Sequence, residues 1–191
     1  MSDLVRTRRW TRKEYDRLIE SGLLDEDEPV ELVGGQLIVA EPKSTGHSVA
    51  LQLAAEALRK AFGAEWTVRV QDPIALDHES EPEPDLAVVP GSPREYLATH
   101  PSRPALVLEV SDSSLAFDRR DKGSLYARAR ILDYWIVNLV DRVLEVCRDP
   151  VLSADAPHGW SYGRVQCLGP EESISPLAAP AASIRVADLL P

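Results

Sequence analysis

Two carboxylates and one lysine in this sequence have the residue types and spacing of a hydrolytic site. Asp85 lies in the apolar run 84–89 and Glu109 in the apolar run 106–111, and both runs are of strand type. Desolvating a carboxylate in an apolar strand costs several kcal/mol unless a partner or a metal compensates. Lys122 follows soon after. Together these residues predict a shared cation with an ammonium beside it, which is the layout of a metal-dependent phosphodiesterase site.

The segment between the two carboxylates is long enough for a strand, a loop and a returning strand. Neighbouring strands lie roughly 4.8 Å apart, so carboxylates at matching positions can hold one Mg²⁺ through oxygens at about 2.1 Å. Each residue also has a purely structural explanation. In that case Asp85 would be a turn residue after Pro84, and Glu109 would pair with an arginine.

The order of these residues resembles the PD-(D/E)XK nuclease superfamily, which has the restriction-endonuclease-like fold. More narrowly, the chain is similar to the Uma2 family (DUF820), described as putative endonucleases. The similarity covers roughly residues 10–150. Its segments are 30–37, 83–89, 106–114, Asp118, Lys122, 126–127 and 133–137.

The resemblance implies a set of metal ligands. Asp85 and Glu109 would bind Mg²⁺ or Mn²⁺, assisted by the backbone carbonyl of Val110, the residue after the glutamate. Glu31 matches the glutamate of the family's first hairpin and would bind a second metal or the water shell. The alternative for Glu31 is an ordinary hairpin carboxylate.

The resemblance also implies a catalytic role for Lys122. The superfamily pattern places a lysine two residues after the glutamate, where this chain has Ser111. Uma2 relatives supply the ammonium from the following helix, where it would orient the attacking water and offset charge on the phosphate. Asp118 lies four residues before Lys122 and is expected to hold it by an i,i+4 contact. An exposed helical lysine is the alternative.

Two weaker candidates lie earlier in the chain. His47 lies at the start of the longest predicted helix. It either contacts a phosphate with the help of the helix dipole or is an ordinary surface residue. Gln71 ends a strand directed towards the same region, and some superfamily members keep a glutamine near the site. The sequence contains no Walker loop, dinucleotide-binding glycine motif, HExxH motif or cysteine-rich zinc pattern.

The expected fold is α/β, with a restriction-endonuclease-like mixed central sheet. Helices over 47–62 and 118–130 flank it, and an N-terminal β-hairpin turns at 34–35. We expect residues 1–191 to form a single domain, with its core over about 10–150 and C-terminal strands and a tail over 151–191.

The composition is typical of a soluble globular protein, at 44% hydrophobic and 27% charged residues. No apolar run approaches the ~18 residues of a membrane span, and two cysteines are too few for a disulfide framework, so a cytoplasmic setting is expected. The net charge of −10 is unfavourable for nucleic-acid binding unless a local basic face exists. Two clusters could supply such a basic face, and the alternative for both is solvated helix surface. The clusters are Arg6, Arg8, Arg9, Arg12 and Lys13, and Arg119, Arg120, Lys122, Arg128 and Arg130.

The first functional hypothesis is a Mg²⁺-dependent endonuclease that hydrolyses nucleic acid, with DNA as the favoured substrate. The alternative is a non-catalytic nuclease-fold module that binds nucleic acid or a partner protein. A homodimer is also expected, through an outward hairpin over 134–147 and the apolar C-terminal stretch.

Overall fold

The computed structural model describes residues 7–24, 29–40 and 42–191. The first helix is α1 (Arg12–Glu20), whose N-cap Thr11 forms a capping box with Glu14. The strands β1 (Val30–Val33) and β2 (Gln36–Val39) form the predicted hairpin. The longest helix, α2 (Thr45–Phe62), follows from the N-cap Ser44.

A six-stranded mixed sheet forms the centre of the protein. Its strands follow one another in chain order, and only β5 and β6 run parallel. The members are β3 (Trp66–Val70), β4 (Leu86–Pro90), β5 (Leu106–Ser111), β6 (Asp133–Asn138), β7 (Val143–Leu152) and β8 (Trp160–Leu168). A short 3₁₀ turn, Pro93–Tyr96, lies between β4 and β5.

The parallel pair β5–β6 needs a crossover connection, which a helix supplies. This helix consists of α3 (Leu115–Phe117), a π-helical turn (Asp118–Lys122) and α4 (Gly123–Arg128). The helix was predicted over 118–130. It begins earlier, at Leu115, and its π turn was not predicted. π turns occur mostly inside α-helices and often at functional sites.

The two faces of the sheet bury different partners because side chains alternate along each strand. Leu106, Leu108 and Val110 pack in the cluster that contains α2. Val107 points to the opposite face, in the cluster of Tyr126 on α4. By the same alternation, Glu109 points to the α4 face.

The apolar segment 74–76 has the residue types of a strand, but it does not form one. Gln71 has a φ of 53°, which turns the chain out of the sheet after β3. The backbone N–H of Ile74 then donates to Pro82 and that of Ala75 to Pro101, so this segment lies in a hydrogen-bonded loop.

The C-terminal segment completes the core. β9 (Ser173–Ile174) and β10 (Ile184–Arg185) form a small separate ladder, and the 3₁₀ turn Val186–Leu189 follows. Val186 and Leu189 are buried in the cluster of α2. Among the residues that the structure describes, no helix has the length and apolar character needed to cross a bilayer.

The surfaces proposed for a homodimer are largely internal. The hairpin over 134–147 begins with β6, which is buried along its whole length between β5 and β7. The apolar C-terminal residues pack against α2. The prediction of an outward hairpin was therefore wrong, because the parallel crossover places β6 inside the sheet rather than at its edge.

Candidate active site

Asp85 and Glu109 meet where β4 and β5 separate. The antiparallel register pairs Leu86 with Leu108, so the next position outward sets Asp85 opposite Glu109. Residues directly opposite in such a pair have Cβ atoms about 4.5–5.5 Å apart. The carboxylates continue the hydrogen bonding of the ladder: the Asp85 N–H donates to Glu109 Oε2 at 3.1 Å, and the Val110 N–H donates to Asp85 Oδ2 at 2.9 Å.

The other oxygen of Asp85 is held from two further elements. His47 Nε2 lies 3.0 Å from Asp85 Oδ1, and Gln71 Nε2 donates to the same oxygen at 2.9 Å. His47 is placed by the first turn of α2, where its N–H donates to the capping hydroxyl of Ser44. Burial alone would raise the pKa of Asp85, but these donors and the Val110 amide lower it below its usual value.

Glu109 is buried beneath a lysine and a tyrosine. Lys122 Nζ donates to Glu109 Oε1 at 3.0 Å, and the Tyr126 hydroxyl donates to the same oxygen at 2.7 Å. Burial raises the pKa of Glu109 to about 8, against the opposing effect of the Lys122 ammonium. Burial would lower the pKa of Lys122, but Glu109 and Glu31 outweigh it and raise that pKa. Lys122 therefore stays charged.

Glu31 joins the same group from the β1–β2 hairpin. Lys122 Nζ lies 3.1 Å from Glu31 Oε1, and the backbone N–H of Glu83 donates to Glu31 Oε2 at 2.9 Å. The structure therefore brings Asp85, Glu109, Lys122 and Glu31 together. Burial and the neighbouring Glu31 raise the pKa of the Glu83 carboxyl.

Asp118 lies on the π turn and is held differently from the prediction. Its Oδ2 accepts hydrogen bonds from Ser111 at 2.7 Å and Ser114 at 2.6 Å. The salt bridges of Lys122 instead go to Glu31 and Glu109. The predicted i,i+4 contact assumed an α-helix, whereas here the Gly123 N–H donates to the Asp118 carbonyl five residues back. The wider turn changes which side chains face each other.

The buried Tyr134 hydroxyl donates to the Asp118 carbonyl at 3.0 Å. Inserting such a donor into the backbone ladder is a recognised cause of local distortion in helices. The π turn thus has a partner on β6, and it carries Lys122 into the cleft.

A cleft of about 550 Å³ opens in front of these residues. Its floor carries Asp85, Glu109 and Lys122, and Val110 lines it as well. Within the described ranges, no group of three or more His, Cys, Asp and Glu side chains is arranged to hold a metal ion by itself. Asp85 and Glu109 are the two carboxylates that face each other on this floor, and Val110 lies beside them.

Both predicted basic clusters are largely engaged with acids of the same protein. In the first, Arg8 pairs with Glu14, Arg9 with Glu79 and Arg12 with Glu81, and Arg6 lies outside the described residues. In the second, Arg119 pairs with Glu145, Arg128 with Asp77, and Arg130 stacks on Trp160 at 3.9 Å. Phosphate contacts by these arginines would compete with their present partners.

Sequence reasoning missed two residues of the site. Tyr126 was assigned no role in the site, although it lies four residues after Lys122 and so shares its helix face. That spacing was the available signal. Glu83 was also assigned no role; it lines the cleft because the 77–83 loop packs beside β1.

Comparison with known proteins gives a consistent result. A family model described as Uma2, putative restriction endonuclease, matches residues 12–187. No curated protein is significantly similar to this chain in sequence. Among solved structures, a putative nuclease belonging to DUF820 from Anabaena variabilis superposes with a TM-score of 0.65 at 16% identity. The match covers 89% of this chain and 94% of that one, and at this identity it establishes a shared fold.

Proposed function

Because this chain belongs to the Uma2 family of putative restriction endonucleases, we propose that it is a metal-dependent endonuclease that hydrolyses phosphodiester bonds of DNA. The observation that carries the proposal is the convergence of Asp85, Glu109 and Lys122 on the floor of one cleft. Burying three ionisable groups from separate elements at one place lowers the stability of the fold. Such clusters of buried ionisable groups are typical of functional sites.

The donor set supports a divalent cation such as Mg²⁺ or Mn²⁺ between Asp85 and Glu109. Asp85 Oδ2 and Glu109 Oε2 each accept one backbone hydrogen bond. A carboxylate oxygen has two lone pairs, so each of these atoms retains one for a cation. The Val110 carbonyl would be the third ligand. Mg²⁺ commonly binds through one or two carboxylates and completes its shell with water and substrate phosphate.

The charge balance supports the same conclusion. Four buried acids, Glu31, Asp85, Glu109 and Asp118, surround one buried lysine, Lys122. Excess negative charge is expensive where water is excluded. A bound divalent cation would offset it, and would supply the Lewis acidity that activates water and neutralises charge on the phosphate.

Among the residues that the structure describes, Lys122 pairs with two carboxylates, which leaves one donor for this chemistry. An ammonium has three N–H groups, and two of them point to Glu109 and Glu31. The third is available to a water molecule or to a non-bridging phosphate oxygen. In the proposed reaction Lys122 orients the attacking water and stabilises charge that develops on the phosphate.

The surrounding residues hold these groups in place. His47 and Gln71 bind Asp85 Oδ1 and so direct Oδ2 towards Glu109. Tyr126 fixes Glu109 Oε1 on the side of Lys122. Glu31 keeps the ammonium from turning away from the cleft. Such supporting hydrogen bonds matter because small displacements of a catalytic group lower the rate strongly.

The test is metal-dependent cleavage of supercoiled plasmid and of single-stranded circular DNA, in Mg²⁺ or Mn²⁺ and in EDTA. Wild type is compared with Glu109→Gln, Lys122→Met and the matched control Arg120→Met, which removes an exposed cation two residues away. We expect cleavage by wild type and the control, and a loss of at least a hundredfold in the two site variants. Equal cleavage by all four proteins would identify a contaminant.

A second candidate function rests on the charge distribution. The net charge is −10, and Lys122 is paired with two carboxylates. The paired lysine suits a non-catalytic nuclease-fold module that binds nucleic acid or a partner protein, and the negative net charge favours the partner protein of these two. Metal-independent binding without cleavage by any of the four proteins would favour this module over the endonuclease.

A further inference from the structure

The depth of the cleft restricts what can reach its floor. Asp85 is 8% exposed, Glu109 3% and Lys122 7%. A reacting phosphate must therefore descend between the walls. The cleft volume of about 550 Å³ lies in the range of sites that enclose one small ligand. A phosphate of a paired strand reaches such a floor poorly, because it stays attached to stacked base pairs on a wide, stiff duplex.

One wall of the cleft is apolar while the floor is ionic. The apolar wall consists of Val30, Ile38, Val39, Ala40 and Pro42, all from or beside the β1–β2 hairpin. Val39 is 65% exposed, and its exposure is informative because it belongs to a contiguous apolar wall rather than standing alone. Phe117, half-buried on α3, lines the cleft as well. An exposed apolar wall next to ionic groups suits a ligand with a flat apolar part and a charged part, as a nucleotide has.

The charge around the cleft also argues against a duplex. The lining residues that the structure describes carry six carboxylates against two lysines and one histidine. Non-specific duplex binding depends on many phosphate contacts by Lys and Arg. Single strands also gain about 1–3 kcal/mol for each base that stacks on an aromatic side chain, and Phe117 is such a side chain in this cleft. A duplex does not gain this energy, because its bases are already stacked inside it.

We propose that the cleft accepts unpaired, single-stranded DNA, with one base against the apolar wall and Phe117 and its phosphate over Asp85, Glu109 and Lys122. The proposal rests on the proposed function, since it names the substrate class of the same site. It assigns Val39 and Phe117 to base contact, a role distinct from the chemistry on the floor.

The experiment compares a fluorescein-labelled mixed-sequence single strand with the same strand annealed to its complement. Cleavage is followed in Mn²⁺, and binding by fluorescence polarisation of the same probes in Ca²⁺. The variants are Val39→Ser and Phe117→Ala. The matched control is Val165→Ser, which removes another exposed valine from an outer strand far along the chain (54% exposed).

We expect the single strand to be bound and cleaved at least tenfold better than the duplex. Val39→Ser and Phe117→Ala should weaken single-strand binding about fivefold or more, and Val165→Ser should not. Cleavage of the duplex as fast as the single strand would overturn this inference and leave the endonuclease proposal intact. Single-strand binding that depends on Val39, without cleavage, would support this inference while the endonuclease proposal fails. Single-strand binding that Val39→Ser leaves unchanged would also overturn it.

Discussion

Replacing Lys122 with methionine removes the one ammonium that contacts both Glu31 and Glu109. Lys122 Nζ lies 3.1 Å from Glu31 Oε1 and 3.0 Å from Glu109 Oε1, and all three residues are less than 10% exposed. Methionine keeps the length of the side chain and much of its packing. The variant therefore isolates the loss of the charge.

The expected cost is about 3–5 kcal/mol, because removing one partner of a buried ion pair leaves an uncompensated charge. For a chain of this length, each kcal/mol lowers the melting temperature by roughly 2–4 °C. Lys122→Met should thus melt about 6–20 °C below wild type. Combining it with Glu109→Gln should recover part of the loss, because a buried carboxylate is then removed too.

The assay is urea unfolding in EDTA at pH 9, above the pKa of about 8 of the Glu109 carboxyl, so that this group is ionised in wild type. The assay is repeated in millimolar Mg²⁺. Arg120→Met is the matched control and should stay within about 0.5 kcal/mol of wild type, as exposed substitutions do. Mg²⁺ should stabilise Lys122→Met more than wild type, since a cation can replace the missing charge. A loss below about 1 kcal/mol, equal to that of the control, would contradict the predicted cost and show that the carboxylates do not depend on the ammonium.

Two further predictions concern stability elsewhere in the chain. Burial raises the pKa of Glu81 to about 7 although Arg12 opposes it, so wild type should lose stability as pH rises from about 4.5 to about 7. Urea titrations across this pH range measure the free energy of unfolding, and Glu81→Gln should gain up to about 3 kcal/mol relative to wild type as the pH rises. Parallel pH profiles of the two proteins would contradict this. Gly34 has a φ of 55°, and a Cβ there would overlap the His158 ring, whereas Gly22, with a φ of 67°, faces open space. Gly34→Ala should therefore cost at least about 1 kcal/mol more than Gly22→Ala in the same assay, and equal costs would show that His158 moves aside.

Local patterns predicted most of the fold. The capping box at Thr11, the hairpin over 30–39 and the helix that ends at Phe62 were all visible, because each depends on nearby residues. The position of β6 was not visible. Its run 133–138 looks the same in sequence at an edge or at the centre of a sheet, and only the crossover after β5 makes it central.

In the candidate site, too, local features were predicted and contacts between distant elements were not. Asp85, Glu109 and Lys122 were found from the cost of placing charge in apolar runs and from the resemblance. His47 and Gln71 were named as weaker candidates, but their contact with Asp85 was not predicted, because they reach it from elements distant in sequence. The π turn also escaped prediction, since it depends on the Tyr134 hydroxyl that reaches it from β6.

The shared metal site of Asp85 and Glu109 is tested most directly by locating a bound divalent cation. Crystals grown with Mn²⁺ would be measured at a wavelength that gives a strong anomalous signal from manganese. We expect one anomalous peak in the cleft, within bonding distance of a carboxylate oxygen of Asp85 and one of Glu109, and its loss in Glu109→Gln. A peak bound to other residues, or a cleft without any peak at saturating Mn²⁺, would show that these carboxylates do not share a cation.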